Sequence, residues 1–195
     1  MCGIVGYIGT QEIVPLLIEG LKRLEYRGYD SAGISIISGG KLIVEKEKGK
    51  ISDLETLLSE KNFSAGNQPL NVGIAHTRWA THGEPTRTNA HPHCDCKNSI
   101  SLVHNGIIEN YQTLKEQLEK QGHKFTSQTD TEVLVHLIES YYNGNNLQDA
   151  VRFALTHVKG TYGICVISQS EPDKIIAARF GSPLLIGLGN CETIV

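Results

Sequence analysis

A cysteine stands at position 2, behind Met1 and ahead of the apolar, glycine-punctuated run Gly3-Ile4-Val5-Gly6-Tyr7-Ile8. Removal of Met1 would leave one residue carrying both a thiol and a free α-amine. With unperturbed pKa values of about 8.5 and roughly 8, the amine can take the thiol proton near neutral pH and return it to a leaving amine. Nucleophile and general base then share one residue. Cys2 also reads as a small hydrophobe opening a buried strand, and its neighbours alone do not separate the two readings.

Four further segments concentrate reactive side chains. His76-Thr77-Arg78-Trp79-Ala80-Thr81-His82-Gly83 holds two histidines, an arginine, two threonines and the single tryptophan. His104-Asn105-Gly106-Ile107-Ile108-Glu109-Asn110-Tyr111 follows an apolar run, Ser127-Gln128-Thr129-Asp130-Thr131-Glu132 precedes another, and Tyr26-Arg27-Gly28-Tyr29-Asp30-Ser31-Ala32-Gly33 joins two more. Each has a plainer reading. Asn105-Gly106 is a good turn dipeptide, Asp130 is a helix-cap candidate, and Arg78 with Trp79 is an acceptable surface cation beside an aromatic ring.

The elements that must position these groups follow from periodicity. Residues 3–8 and 32–37 read as strands, and Lys41 to Glu47 returns after Gly39-Gly40 as a hairpin. Between the first two, Ile13, Leu16, Leu17, Leu21 and Leu24 recur at helical spacing. Val72 to Ala75 and Ser99 to Val103 are strand candidates that each run into a histidine. Tyr111, Leu114 and Leu118 line one helix stopped by Gly122; Val133, Leu134, Leu137, Ile138 and Tyr141 line a second, and a third covers about 147–157. After Gly160 the pattern reverts to strands at 162–167, 174–178 and 184–186. Strands, a helical block and strands again, joined by hairpins, predict an α+β fold of antiparallel sheet covered by helices.

At 195 residues one domain is expected. With 18 Lys+Arg against 21 Asp+Glu and no basic block, nothing points to nucleic acid. No apolar stretch reaches the ~20 residues of a membrane span, and Glu12 and Glu19 interrupt any signal-peptide core. The five cysteines, odd in number and unclustered apart from Cys94-Asp95-Cys96, fit a reducing, cytoplasmic setting. Leu184 to Val195 remains apolar and glycine-rich, which predicts that these residues are part of a longer chain.

The amino-terminal Cys-Gly-Ile-Val-Gly, the 26–33 segment, the 76–83 loop, the 104–111 segment and Thr129-Asp130-Thr131-Glu132 occur in one order across essentially the whole chain. In this the sequence resembles the glutaminase domain of the amino-terminal-nucleophile glutamine amidotransferases, in their glutamine–fructose-6-phosphate aminotransferase branch. The closing Phe180-Gly181-Ser182-Pro183-Leu184 and Gly187-Leu188-Gly189 resemble it too. The resemblance implies a four-layer αββα sandwich of two antiparallel sheets between helical layers. It also implies roles: Cys2 as nucleophile, and Asn105 with the Gly106 N–H as oxyanion hole. Arg78 would hold the α-carboxylate of L-glutamine and Asp130 its α-ammonium. Trp79, Thr81 and His82 would belong to a closing loop, with Arg27 and His91 in support. No cofactor is implied. A carboxyl-terminal sugar-isomerase domain would receive the ammonia, in a homo-oligomeric full-length enzyme.

Two alternatives remain open: a sister amidotransferase on the same fold, and a noncatalytic glutamine sensor that retains Met1. The tract His91-Pro92-His93-Cys94-Asp95-Cys96 places four soft ligands within six residues. Structural zinc draws ligand pairs from two distant segments, and no second Cys/His pair is visible, so no metal site is expected. Cys94 and Cys96 depart from the family pattern and are expected in a solvent-facing turn.

Overall fold

The computed structural model describes residues 2–64, 71–79 and 83–195, and of Arg27 the backbone alone. Strands β1 (Gly3–Gly9), β2 (Ser31–Ser38), β3 (Lys41–Lys48), β4 (Asn71–Arg78), β9 (Gly187–Gly189) and β10 (Glu192–Ile194) form one sheet in the order β3-β2-β4-β1-β10-β9. Strands β5 (His93–Cys94), β6 (Ile100–Ile108), β7 (Gly160–Ser168) and β8 (Glu171–Phe180) form a second sheet in sequence order. All neighbours within the sheets run antiparallel.

Each sheet has one face against helices and one against the other sheet, which is the four-layer sandwich the sequence predicts. Helices α1 (Ile13–Leu24) and α2 (Ile51–Glu60) bury Ile13, Leu17, Leu21, Ile51 and Leu54 against Val5, Tyr7, Ile34, Ile36 and Ala75 of the first sheet. Helices α3 (Tyr111–Lys120), α4 (Asp130–Tyr141) and α5 (Leu147–Thr156) do the same over Ile100, Leu102, Ile164 and Val166 of the second. Between the sheets lies a smaller cluster of Ile37, Val72, Ile74, Val103, Cys165 and Ile167. Because side chains alternate with a period of two, this cluster dictates what else faces inward. Val72 and Ile74 put His76 and Arg78 on the inter-sheet face; Val103 puts Asn105 there; Ile4 and Ile8, packed on the same cluster, give that face to Cys2.

Local chemistry differs from expectation in three places. Helix α2 has no counterpart in the sequence reading, although Ile51, Leu54 and Leu58 have helical spacing and the Asp53 carboxylate accepts the Lys50 N–H at 2.7 Å. Residues 184–186 are irregular rather than a strand; Pro183 precedes them, Leu185 and Ile186 are exposed, and the hairpin forms one step later as β9 and β10. Strands β4 and β6 continue past the apolar runs, so the histidines expected at their ends sit inside the ladders. Among the described residues no helix is long and apolar enough to cross a membrane.

The segment between β4 and β5 is held from below. Lys46 donates from Nζ to the carbonyls of Thr88, Ala90 and Pro92 at 3.1, 2.7 and 3.1 Å, and burial lowers its pKa to about 8. Beside it Gly33 passes so close that an added Cβ would lie 2.1 Å from the His91 carbonyl oxygen. Gly33→Ala is therefore expected to cost at least about 2 kcal/mol, since backbone must move. By contrast Ser35, two residues along the same strand, buries a hydroxyl with no partner among the described residues. Ser35→Ala is expected to be neutral or stabilising by up to about 1 kcal/mol. Urea unfolding of both variants checks the pair, and equal costs would contradict the contact described for Gly33.

Candidate active site

The inward-facing residues of β1, β4 and β6 meet at one end of the sandwich, where the sheets leave a cavity of about 1000 Å³. Cys2, Arg78, Trp79, His91, Asn105, Gly106 and Asp130 all line it. Of the residues singled out from sequence, Thr81 and His82 lie outside the described residues, as does the side chain of Arg27.

Cys2 is half-buried and tied to the strand beside it. Its thiol donates to the Trp79 carbonyl at 3.6 Å and accepts the Trp79 N–H at 3.1 Å. Burial pushes the thiol above its ordinary pKa, with the Trp79 N–H pulling the other way. A thiol held in that state is protonated near neutrality, so any attack on substrate needs a base close by. Trp79 itself is 54% exposed, its backbone committed to the thiol and its ring to the cavity mouth.

Asn105 is oriented by a residue the sequence reading quoted but gave no role. His76 Nε2 lies 2.8 Å from Asn105 Oδ1 and 3.1 Å from the His104 carbonyl. Both partners accept, so Nε2 carries the proton and Asn105 must present Nδ2 to the cavity. That amide donates to the Cys2 carbonyl at 3.3 Å. Burial lowers the His76 pKa to about 3, and the ring is neutral. Gly106 follows at φ 140°, where an added Cβ would lie 2.1 Å from the Thr161 carbonyl oxygen. Only glycine fits there, which disposes of the reading of Asn105-Gly106 as a simple turn: both residues belong to the β6–β7 ladder.

The charged pair lies on opposite walls. Arg78 ends β4, is 3% exposed, and donates to the carbonyls of Gly83 and Glu84 at 3.2 and 3.3 Å; its Nη1 stands 3.8 Å from Asp30 Oδ1. It is no surface cation. Asp130, 4% exposed, opens α4 but does not cap it: the Thr129 hydroxyl accepts the Glu132 N–H at 3.3 Å, and Asp130 Oδ2 accepts the Ile108 N–H at 2.8 Å. Its carboxylate thus sits at the amino terminus of α4, beside the cavity.

Behind these residues lies a buried histidine cluster. The Thr131 hydroxyl bridges His91 Nε2 and His104 Nδ1, each at 2.9 Å. His91 packs against His76 with ring centroids 4.2 Å apart and edge-on to His93 at 4.8 Å. Burial depresses all three pKa values below the ordinary histidine range. Thr131 and His104 carry no sequence signal beyond their place in the two motifs. His91 and His93 therefore turn inward, whereas Cys94 is half-buried in β5 and only Cys96 is exposed. The expected solvent-facing turn thus begins after Cys94, whose thiol burial raises to about 11.

Neutral buried histidines have a sign-definite consequence. Below about pH 6.5 the unfolded chain binds protons that folded His76, His91 and His93 do not, so stability is full above that pH and falls as pH drops toward the depressed folded values. Each contributes a slope of up to about 1.4 kcal/mol per pH unit in that window. Urea midpoints measured from pH 7.5 to pH 5 are expected to fall steadily. A flat profile would mean the cluster is charged in the folded state.

The chain was compared with known proteins. A family profile described as a glutamine amidotransferase domain matches residues 76–189. Glutamine–fructose-6-phosphate aminotransferases (isomerizing) of Symbiobacterium thermophilum and Chlorobaculum tepidum are each 56% identical over all of this chain, which spans 31% and 32% of their lengths. The chain thus covers about a third of these relatives. A solved glutamine phosphoribosylpyrophosphate amidotransferase from B. subtilis, complexed with ADP and GMP, superposes with TM-score 0.77 at 30% identity, over 98% of this chain and 41% of that one. A glutamine aminotransferase class-II domain protein from Silicibacter pomeroyi, at 12% identity and TM-score 0.63 over 98% of this chain and 88% of its own, shares the fold. With the profile spanning more than half of the chain and the αββα sandwich common to the solved structures, the chain belongs to the glutamine amidotransferase domain family, of the class II, amino-terminal-nucleophile fold.

Proposed function

We propose that this chain hydrolyses L-glutamine to L-glutamate and ammonia through a γ-glutamyl thioester on Cys2. The observation that carries the reading is the convergence on one cavity of a thiol, an amide donor with a single allowed orientation, a buried guanidinium and a buried carboxylate. A zwitterionic amino acid needs a cation and an anion held apart. Arg78 matches its α-carboxylate with a planar fork of donors, and Asp130 faces its α-ammonium.

Once Met1 is removed, the Cys2 α-amine takes the thiol proton and sulfur attacks the carboxamide carbon. The oxyanion that forms is met by Asn105 Nδ2 and the Gly106 N–H; one such donor is typically worth about 3 kcal/mol of barrier. The α-ammonium of Cys2 then protonates the departing nitrogen, ammonia leaves, and the thioester remains. Water, deprotonated by the same amine, releases glutamate and restores the thiol. Trp79 and His91 line the cavity; Thr81, His82 and the Arg27 side chain, to which the resemblance gives closing and supporting roles, lie outside the described residues. No cofactor takes part.

In the longer protein, residues 1–195 are the glutaminase domain of a cytoplasmic, homo-oligomeric glutamine–fructose-6-phosphate aminotransferase. A carboxyl-terminal sugar-isomerase domain uses the ammonia to form glucosamine 6-phosphate. The high identity to such enzymes supports this, as do Phe180, Leu185, Ile186 and Leu188, apolar side chains exposed between the end of β8 and β9. These 195 residues alone release ammonia and make no aminosugar.

Two measurements test the site. A glutamine analogue bearing an electrophilic carbon, 6-diazo-5-oxonorleucine, is expected to alkylate Cys2 alone, although Cys96 and Cys191 are exposed, because positioning by the clamp can be worth up to about 7–11 kcal/mol. Peptide mapping with and without excess glutamine reads this out; label on Cys96, or label on Cys2 that glutamine does not prevent, would sink the assignment. Asp130→Asn preserves shape and removes the charge, and is expected to lower kcat/KM by roughly ten- to a hundredfold, the value of a buried charge-assisted contact. Unchanged kcat/KM would reduce Asp130 to a support for the Ile108 amide.

A further inference from the structure

Away from the cavity, on the far side of α4, the fold gathers four ligand-type side chains from three separate segments. Cys96 comes from the turn after β5, His123 from the turn after α3, and His136 and Glu139 from successive turns of α4. Their ligand atoms all lie within 4.8 Å of one another. Cys96 Sγ is 3.6 Å from His123 Nδ1 and 3.4 Å from His136 Nδ1; the two Nδ1 atoms are 3.2 Å apart; and His123 Nδ1 is 3.2 Å from Glu139 Oε2. These four of the six pairwise distances match the edges of a tetrahedral ligand set. Zinc bond lengths of about 2.3 Å to sulfur and about 2.0–2.1 Å to nitrogen give roughly 3.3 Å between two nitrogens and roughly 3.5 Å between sulfur and nitrogen.

The surroundings are those of a built ligand set. The Asp95 carboxylate accepts the N–H groups of Ser99 and Ile100 at 2.6 and 2.8 Å and the Ser99 hydroxyl at 2.8 Å, so the turn carrying Cys96 is fixed before any ion arrives. Glu139 Oε2 accepts the Cys96 N–H at 3.1 Å. Phe125 stacks on the His136 ring at 4.5 Å. On the outer side of that ring, Nε2 faces Glu132 Oε1 at 4.0 Å. The Glu132 carboxylate is in turn held by the N–H and hydroxyl groups of Thr126 and Ser127 at 2.6–2.9 Å. At 4.0 Å the approach of Glu132 to His136 is a charge contact and not a hydrogen bond; it favours the proton on Nε2, which leaves the Nδ1 lone pair toward Cys96 and His123.

We propose that Cys96, His123, His136 and Glu139 form a four-coordinate structural site for a divalent transition cation of the zinc class. On binding, the Cys96 thiol releases its proton, the two imidazoles bind neutral through Nδ1, and thiolate and carboxylate together neutralise the ion. All four positions are filled by protein, so the ion has no open site for catalysis. It clamps the β5–β6 turn and the α3–α4 connection to the helix whose first residue is Asp130. This is the second ligand segment the sequence hides: the partners of Cys96 are 27, 40 and 43 residues away, in no Cys/His pair, while His91, His93 and Cys94 take no part.

The test uses the chelator-treated 195-residue chain titrated with Zn²⁺ against a competing chelator, and with Co²⁺ followed by absorption. One equivalent of zinc is expected to bind and raise the thermal midpoint. Cobalt is expected to show thiolate charge-transfer and intense four-coordinate d–d bands, and Mg²⁺ to have no effect. Cys96→Ser and His123→Gln are expected to weaken zinc binding by more than about tenfold, whereas Cys191→Ser does not. A cobalt complex lacking thiolate bands in the parent chain would overturn the proposal without recourse to any variant. So would zinc affinity in both ligand variants within about threefold of the parent.

Discussion

Hydrogen bonds from one histidine join the two sheets at the point where chemistry is proposed, one to Asn105 Oδ1 and one to the His104 carbonyl. His76 belongs to the first sheet and Asn105 to the second, and the 2.8 Å contact between Nε2 and Oδ1 is made across the inter-sheet seam. It needs a proton on Nε2, and burial keeps the ring neutral by lowering its pKa to about 3. His91 packs on that ring, His93 packs on His91, and the Thr131 hydroxyl joins His91 to His104. The amide of Asn105 is thus oriented by a chain of packing that extends to α4. Loss of any member would free the amide to rotate and present an oxygen where a donor is needed.

Helix α4 is the second organising element. Its buried stretch from Asp130 to Ile138 is not confined to one face, because β6, α3 and α5 all pack on it. A helix so enclosed can present polar groups only at its ends or toward dedicated partners. Asp130 and Thr131 use the amino end, Glu132 is met by four donors, and His136 meets the turn carrying Cys96. The active-site wall and the proposed cation clamp therefore share one helix, with the clamp residues His136 and Glu139 roughly two turns after Asp130.

How much of this was legible in sequence depended on whether a signal was local. The strands, α1 and the helices lined by Leu114 or Leu137 announce themselves by periodicity, and the alternation of two then places Cys2, Arg78 and Asn105 on a common face. Helix α2 escaped because its stripe of Ile51, Leu54 and Leu58 follows directly on a charged strand. Cys2 and the motif order led to the cavity, but the role of His76 was invisible, since nothing in the 76–83 segment says which of its histidines is buried between sheets. The Cys96 cluster was hidden for the same reason in stronger form. Its parts are brought together only by the packing of α4 over β5 and β6, a tertiary fact with no counterpart in spacing.

The electrostatic design of the cavity follows from what surrounds it. Neutral histidines, carbonyls and apolar strands give a low local dielectric, in which a fixed charge interacts more strongly than in water. Arg78 and Asp130 stand there, each held by backbone groups rather than by each other, Arg78 also beside Asp30. The same environment raises the Cys2 thiol, so the thiolate is not a resting species. In the proposed reaction nucleophilicity is generated only when a base stands beside sulfur, and within the described residues no neutral histidine is hydrogen-bonded to that thiol. In that reaction the base that covalent structure places beside the sulfur is the α-amine of Cys2 itself, so the proposed activity depends on removal of Met1, and the first peptide bond is its switch between an inert thiol and a nucleophile.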